Sequence, residues 1–129
     1  YGDVRIGIAL SDLLQTIASP YDIYTRKTIE EDLEYFKNLA KTQMVERVVI
    51  GLAYNMDGTE GERVVVTKQF GELLSKTLNL PVEYVDERLS SVEADDILAE
   101  AKFPAIKRKS LIDKIAASII LENYLSSRR

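Results

Sequence analysis

A chain of 129 residues with 46% hydrophobic and 29% charged side chains has the size and composition of one globular domain, so we treat residues 1–129 as a single unit. It contains no cysteine and no histidine, which excludes disulfides, thiolate catalysis and zinc sites built from these residues. No apolar run approaches the roughly 18 residues that a membrane span needs, and we expect a cytoplasmic protein that does not enter membranes. Any catalysis must therefore depend on carboxylates, lysines, hydroxyls or oxygen-bound metals.

Charge is distributed unevenly along the chain. The net charge of −4 argues against binding a polyanion by bulk attraction. Acidic residues nevertheless cluster between Glu83 and Glu100, and basic residues follow between Lys102 and Lys114. An acidic centre beside a basic strip suits a metal-dependent site that holds a polyanion, but surface charge patterning without a function explains the same arrangement.

The first part of the chain predicts an antiparallel meander. Residues 4–10 form a short apolar run typical of a strand, and residues 16–25 predict a second strand in which Pro20 requires a bulge or an edge position. Because Tyr1-Gly2-Asp3 is itself typical of a turn, we expect a further strand before Tyr1 that completes the meander.

Strands and helices then alternate. Residues 28–31 match a capping box, which predicts a helix start, and the β-branched run at residues 47–52 predicts a strand buried on both faces. Residues 62–78 predict a second helix that ends at Asn79, because asparagine tolerates the left-handed conformation common beyond helix ends. The side chains expected to be buried on these two helices are Leu33, Phe36, Leu39, Ala40, Val65, Phe70, Leu73, Leu74 and Leu78.

The last third of the chain predicts one more strand, at residues 81–86, and two helices. A capping box at residues 90–93 precedes a short acidic helix over residues 92–101, and the final helix is expected over residues 109–125. Small residues at 116–117 would let this helix lie close to the sheet. The side chains expected to face inward are Ile97, Leu98, Ile112, Ile115, Ala116 and Ile119.

Acidic side chains fall where ligands bind in open α/β sheets, at the carboxyl ends of strands. Asp86 and Glu87 end one predicted strand, and the loop that contains Asn55 and Asp57 follows another. Asp113 lies on the closing helix. Converging carboxylates would bind Mg²⁺ or Mn²⁺, since hard cations prefer oxygen ligands, and two such ions about 4 Å apart would support in-line attack on phosphorus.

Each of these groups also has a structural interpretation. A salt bridge with a neighbouring cation would explain Glu87, and Asp113 would suit a capping box that begins at Ser110. The loop at residues 53–61 is rich in residues typical of a plain turn, and the basic run at residues 107–109 is typical of a solvated helix start. Spacing alone leaves both interpretations open.

Four segments together resemble the successive signatures of the YqgF/RuvX family. They are YGDVRIGIALSD at residues 1–12, GLAYNMDGTEG at 51–61, DERLSS at 86–91 and DKIAA at 113–117, in the order of the family and across nearly the whole chain. This family comprises Holliday junction resolvases that are also assigned as nucleases of pre-16S rRNA maturation. The resemblance implies a ribonuclease H-like α/β fold: a central mixed five-stranded sheet, with an antiparallel meander followed by parallel strands, flanked by helices.

The resemblance also implies which residues act. Glu87, Asp113 and the adjacent Asp86 would be catalytic, with Glu87 and Asp113 as ligands of Mg²⁺ or Mn²⁺. The first-strand aspartate of the family would fall immediately before Tyr1, so no residue of this chain is assigned to that role. The residues expected to contact substrate are Asn55, Asp57, Arg88, Lys107, Arg108, Lys109 and Lys114.

The leading hypothesis is a metal-dependent nuclease that cleaves phosphodiester bonds in structured nucleic acid, either junction DNA or precursor rRNA. A second hypothesis is a non-catalytic nucleic-acid-binding or ribosome-associated module of the same fold. A third is a phosphotransferase of the related actin-like ATPase architecture, which normally needs a second domain to close over a nucleotide. The oligomeric state, including a homodimer, stays open.

Overall fold

The computed structural model describes residues 5–52, 61–87, 96–101 and 105–127, with only the helical backbone over residues 105–110. Residues 96–100 are helical. None of the helices in these ranges is long and apolar enough to cross a membrane. The other elements are β1 Arg5–Ser11, β2 Ala18–Thr25, α1 Ile29–Thr42, β3 Val48–Leu52, α2 Glu62–Leu78, β4 Val82–Asp86 and α3 Ala105–Ser127.

Strands β1 and β2 form the predicted antiparallel hairpin. The register shifts between Ile8, which pairs with Asp22, and Ala9, which pairs with Pro20. This irregularity confirms the bulge that Pro20 requires. β2 begins at Ala18 rather than at residue 16, because the amides at the end of the hairpin loop donate to the Asp12 carboxylate instead of to a neighbouring strand.

Helix α1 begins at the predicted cap. The Thr28 hydroxyl accepts a hydrogen bond from the Glu31 amide at 3.2 Å, which satisfies one of the free donors of the first turn. The predicted apolar residues Leu33, Phe36 and Leu39 are partly buried and pack against the core.

A buried aspartate joins α1 to the end of β2. Asp32 is 0% exposed, and its Oδ1 accepts hydrogen bonds from the Tyr24 hydroxyl and the Lys27 amide, both at 2.8 Å. Arg26 Nε lies 3.6 Å from its Oδ2. Because a buried charge must be paired and hydrogen-bonded, these partners fix the direction in which the chain enters the helix.

Helix α2 has the predicted bounds, and Asn79 ends it in the left-handed conformation with φ 56°. The predicted burial of Val65 and Leu73 is wrong, since these side chains are 49% and 45% exposed. The helix instead turns Val64 toward the core, and residues spaced by three and four from it form the buried face. The buried residues of α2 are Val64, Thr67, Phe70, Gly71 and Leu74.

The expected five-stranded sheet is not formed by the described residues. β1 and β2 make one antiparallel sheet, while β3 and β4 make a separate parallel sheet in the register Val48↔Val82 to Leu52↔Asp86. The mixture of antiparallel and parallel pairs is as predicted. The two sheets are separate because β1 and β3 are not hydrogen-bonded to each other, and both line a cavity of about 410 Å³. We call this the inter-sheet cavity.

Helix α3 contacts all four strands and so spans both sheets. It begins at Ala105, before the predicted residue 109, so Ser110 lies inside the helix. Asp113 is therefore not the acidic partner of a capping box, and that structural interpretation is wrong.

Burial along the last two helical segments follows the prediction only in part. Leu98 and Ala116 are buried as expected, but Ile97 is 49% exposed. The predicted inward residues Ile112, Ile115 and Ile119 are half-buried, whereas Ile120 and Leu125 are buried.

Candidate functional site

Two acidic side chains that are distant in sequence line the inter-sheet cavity. Glu87 follows β4, and Asp113 lies on α3. Gly51 and the guanidinium groups of Arg5 and Arg63 also line the cavity. Asp12, Glu46 and Arg47 line it as well, beyond the end of β1 and before the start of β3. The end that holds Glu87 lies at the carboxyl ends of the parallel strands β3 and β4, where ligands bind in open α/β sheets.

The position of Glu87 is set by the pairing of β3 and β4. The Glu87 amide donates to the Leu52 carbonyl at 3.0 Å, which continues the strand ladder by one residue. Its carboxylate lies over Gly51, where an ideal Cβ would be 2.9 Å from Oε2. The same Cβ would be 2.7 Å from Ile120 Cδ1 on α3. A glycine at this position therefore leaves the space that the carboxylate occupies.

Burial raises the pKa of Glu87 above its ordinary value of 4.5. The Arg63 guanidinium opposes this rise, while the neighbouring carboxylates of Asp86 and Asp113 add to it. A cation placed between Glu87 and Asp113 would relieve both the desolvation of the charged form and the repulsion between like charges.

The position of Asp113 is set by β1. Helix α3 passes so close to this strand that an ideal Cβ on Gly7 would overlap the Asp113 carbonyl. The Arg5 guanidinium forms an ion pair with Asp113, with Nε 3.2 Å from Oδ2, and the Asp113 side chain is 34% exposed. The carboxylate is thus held by a strand and still partly accessible to solvent.

Asp86, the other predicted acid of this strand, lies elsewhere. It is exposed at the end of β4 and is not among the residues that line the cavity. Successive side chains of a strand point to opposite faces, so Asp86 and Glu87 cannot both enter the cavity while the strand geometry continues. Asp86 acts on the site through its charge, which raises the pKa of Glu87.

The predicted substrate contacts fall largely outside the described part of the chain. Asn55, Asp57 and Arg88 lie outside it, as do the side chains at residues 107–109. Lys114 is half-buried on α3 and does not line the cavity.

Two functional candidates, Arg5 and Arg63, were not singled out from the sequence. Arg5 lies two residues before Gly7 on β1, so strand alternation places both on the face toward Asp113. Arg63 lies in the first turn of α2, and only the tertiary structure brings it to Glu87.

The donor set fits a hard divalent cation. Within the described residues no group of three or more acidic, histidine or cysteine side chains could hold a metal ion by itself. Mg²⁺ is usually bound by one or two protein carboxylates and completes its shell with water and substrate phosphates. Glu87 and Asp113 supply two such carboxylates in one cavity.

These features define an α/β protein whose candidate ligand site lies at the carboxyl ends of its parallel strands, with two carboxylates, Glu87 and Asp113, in one cavity. This chain belongs to the RuvX family, whose description is Holliday junction resolvase and whose family model matches residues 1–127.

Three similar proteins match this chain over almost its whole length. The chain is 49% identical over 126 residues to a protein of Halothermothrix orenii, an alignment that covers 98% of this chain and 90% of that protein. It is 44% identical over 124 residues to a protein of Syntrophomonas wolfei, covering 96% and 88% of the two. It is 43% identical over 127 residues to a protein of Heliobacterium modesticaldum, covering 98% and 85%. All three relatives carry the name "Putative pre-16S rRNA nuclease".

Proposed function

We propose that this protein is a metal-dependent nuclease that hydrolyses phosphodiester bonds in structured nucleic acid, with Mg²⁺ or Mn²⁺ held by Glu87 and Asp113. Membership of the RuvX family and the names of its relatives support the nuclease activity. Metal dependence is supported by one observation above all: Glu87 and Asp113, from different elements, line the same cavity at the strand ends.

The chemistry assigns a distinct task to each group. A divalent cation would supply an activated water and stabilise the oxygen that leaves phosphorus. Glu87, fixed by its amide bond to β3, and Asp113, fixed by α3, would hold that cation between the strand ends and the substrate. Arg63 would offset the negative charge of the scissile phosphate, because a guanidinium binds phosphate oxygens in a planar fork.

A fifth strand would complete this site. We propose that it lies in the inter-sheet cavity between β1 and β3 and joins the two sheets into one mixed sheet. Each of these strands has a neighbour on one side only within the described residues, and the cavity between them is lined by apolar side chains such as Ile6, Ile8 and Ile50. Such a strand would end beside Glu87 and Asp113, where the family resemblance expects a third acidic ligand.

Amide hydrogen exchange on the complete native protein tests the fifth strand. In an antiparallel pair, alternate amides of β1 bond to β2 and the others point away from it. We expect slow exchange at both sets. Fast exchange at the amides that point away from β2 would show that no strand occupies the cavity.

Precursor 16S rRNA is the proposed substrate, because the relatives are named for it, and junction DNA is the second candidate, because the family is described by it. The test is cleavage of both substrates by the complete native protein with EDTA, Mg²⁺ or Mn²⁺. We expect a product only with a divalent cation.

The variants Glu87→Gln and Asp113→Asn test the metal site. Each should lower cleavage by more than about 100-fold, because even residues that only surround a metal ligand cost about 10–100-fold. Glu72→Gln is the matched control, since Glu72 is exposed on α2 and does not line the cavity. Wild-type rates in both site variants would remove the proposed mechanism.

The second candidate function is binding without cleavage. It is favoured by one observation, that the described residues contain no group of three or more metal-binding side chains. Tight binding of junction DNA or precursor rRNA, with no metal-dependent product, would support this alternative.

A further inference from the structure

Asp113 is held by two residues of β1 that act on different parts of it. Gly7 allows the Asp113 backbone to lie directly against the strand, and Arg5 pairs with its side chain, with Nε 3.2 Å from Oδ2. Resting on the proposed function, we propose that Arg5 is a positioning residue of the metal site: it binds Oδ2 of Asp113 and so leaves Oδ1 for the cation shared with Glu87.

The strand that carries Arg5 is itself fixed. Arg5 pairs with Thr25 of β2, and Gly7 pairs with Ile23, so both positions lie within the antiparallel ladder. Residues two apart on a strand share a face, and this face is covered by α3. The strand therefore sets the distance of Asp113 from the sheet through Gly7 and the rotation of its carboxylate through Arg5.

If Arg5 orients Asp113, its ion pair should affect metal affinity more than it affects the stability of the fold. The Arg5 and Asp113 side chains are 54% and 34% exposed, and exposed pairs of this kind contribute little to stability. A carboxylate that coordinates a metal through one oxygen must be correctly oriented. Residues that hydrogen-bond to such a ligand without touching the metal typically change metal affinity about 10–100-fold.

The positive charge of Arg5 works in the opposite direction, because it repels a cation bound to Asp113. At this exposure water screens that repulsion, and a unit charge about 6 Å from a divalent cation changes its binding constant by about tenfold in bulk water. Loss of orientation costs about 10–100-fold, which equals or exceeds this repulsion. Removal of Arg5 should therefore weaken metal binding.

The test measures Mn²⁺ binding to the complete native protein by calorimetry, which does not depend on cleavage. Arg5→Gln should weaken binding by up to about tenfold, which is the loss of orientation less the relieved repulsion. Arg5→Lys should recover part of the loss, because an ammonium can still donate to Oδ2. In the background of Asp113→Asn, removal of Arg5 should cause no further loss of affinity, because no carboxylate remains to be oriented and only the repulsion is relieved.

Arg47→Gln is the matched control. Arg47 forms an ion pair with Glu83 at 3.4 Å, with side chains 39% and 43% exposed, and donates a hydrogen bond to the Tyr124 hydroxyl at 3.0 Å. It lines the same cavity but lies before the start of β3, at the end away from Glu87. Its loss should leave Mn²⁺ affinity unchanged and lower the melting temperature at least as much as the loss of Arg5.

Three results would overturn the proposal. Wild-type or tighter Mn²⁺ binding by Arg5→Gln removes the positioning role and leaves the nuclease proposal intact. If Arg5→Gln does not fold, the Mn²⁺ affinity of Arg5→Lys decides. An affinity as low as that of Asp113→Asn would show that a positively charged side chain at residue 5 does not orient Asp113. Absence of any Mn²⁺ binding by the wild-type protein would remove the metal site and the positioning role together.

Discussion

The carboxylate of Glu87 lies over Gly51 of the neighbouring strand, and an ideal Cβ on Gly51 would come within 2.9 Å of Glu87 Oε2. The contact follows from the parallel register, in which Leu52 pairs with Asp86 and the Glu87 amide then donates to the Leu52 carbonyl. The parallel pairing of β3 and β4 thus places the Glu87 side chain over β3 and in the inter-sheet cavity.

Gly51→Ala should damage the site more than the fold. The added methyl group meets the ends of two side chains, Glu87 and Ile120, which can move aside, so we expect a loss of about 1–3 kcal/mol in the free energy of unfolding. The displaced Glu87 carboxylate should weaken Mn²⁺ binding. Calorimetry measures the second effect and urea denaturation the first.

The control for this variant is Gly71→Ala. It adds the same methyl group against the Tyr84 hydroxyl and not against Glu87 or Asp113. Its Mn²⁺ affinity should be that of the wild-type protein. Equal affinities of the Gly51→Ala and wild-type proteins would show that the position of Glu87 does not control the site.

Gly7→Ala should destabilise the fold more than Gly51→Ala does. Its methyl group would overlap the Asp113 carbonyl, which belongs to the backbone of α3 and cannot rotate away. The helix must shift from β1, at a cost near the upper end of about 1–3 kcal/mol. Urea denaturation of the two variants side by side gives the comparison, and equal stabilities would contradict the close approach of α3.

Glu87→Gln should stabilise the protein at neutral pH when no divalent cation is present. Burial raises the pKa of Glu87 in the folded state above 4.5. The stability that protonated Glu87 contributes to the fold is therefore present below pH 4.5 and is lost as the pH rises through the folded pKa. The advantage of glutamine should therefore be small at pH 4 and larger at pH 7. Melting temperatures in EDTA at the two pH values test this sign.

Added Mg²⁺ should reverse that order. It should raise the melting temperature of the wild-type protein and leave that of Glu87→Gln unchanged, because binding to the folded state alone stabilises it. In the EDTA experiment without Mg²⁺, a lower melting temperature of Glu87→Gln than of the wild-type protein at pH 7 would contradict the raised pKa of Glu87.

Asp12→Ala should destabilise the hairpin in a pH-dependent way. Hydrogen bonds from the Ile17 amide and from the Thr16 hydroxyl and amide lower the pKa of Asp12 from 3.8 to about 2. This stabilisation is present above pH 3.8 and is lost as the pH falls through about 2, so the difference between variant and wild type should narrow over that range.

Denaturation curves between pH 2 and pH 5 measure this difference. Thr16→Val is the matched control, because it removes the hydroxyl bond and keeps both amide bonds. Thr16→Val should lower the free energy of unfolding less than Asp12→Ala does. A difference between Asp12→Ala and the wild-type protein that stays constant from pH 2 to pH 5 would show that the ionised Asp12 carboxylate does not stabilise the hairpin.

Asp32→Ala should be among the most destabilising single changes outside the site. It removes a fully buried carboxylate from Arg26 and from the Tyr24 hydroxyl, and loss of one partner of a buried ion pair costs about 3–5 kcal/mol. Tyr24→Phe removes a single hydrogen bond to a carboxylate and should cost about 1.5–3 kcal/mol. Urea denaturation of both variants tests the ranking, and similar losses would place the main role in the tyrosine bond.

The elements that the sequence predicted well depend on neighbours in the chain. The cap at Thr28 forms with an amide three residues later, the left-handed stop at Asn79 depends on its own backbone, and the bulge beside Pro20 follows from a missing amide hydrogen. The family motifs also directed attention to Glu87 and Asp113 before any geometry was known.

Helix phase and helix length were predicted less well. Apolar residues on both sides of the true buried face made Val65 and Leu73 look equivalent to Val64, and only packing against the sheet selects the rotation of α2. The start of α3 at Ala105 likewise moved Asp113 from the predicted first turn of the helix, where it would partner the cap at Ser110, to the interior of the helix.

What the sequence alone determined was the order of strands and helices and the acidic residues that follow from family motifs, because local hydrogen bonding and residue type depend on adjacent positions. The tertiary structure decided which of those acids share a cavity. Only the crossing of α3 over β1 brings Arg5 to Asp113, and only the parallel register of β3 and β4 turns Glu87 inward and Asp86 outward. These relationships join residues that are distant along the chain, and a linear pattern carries no information about the angle at which they meet.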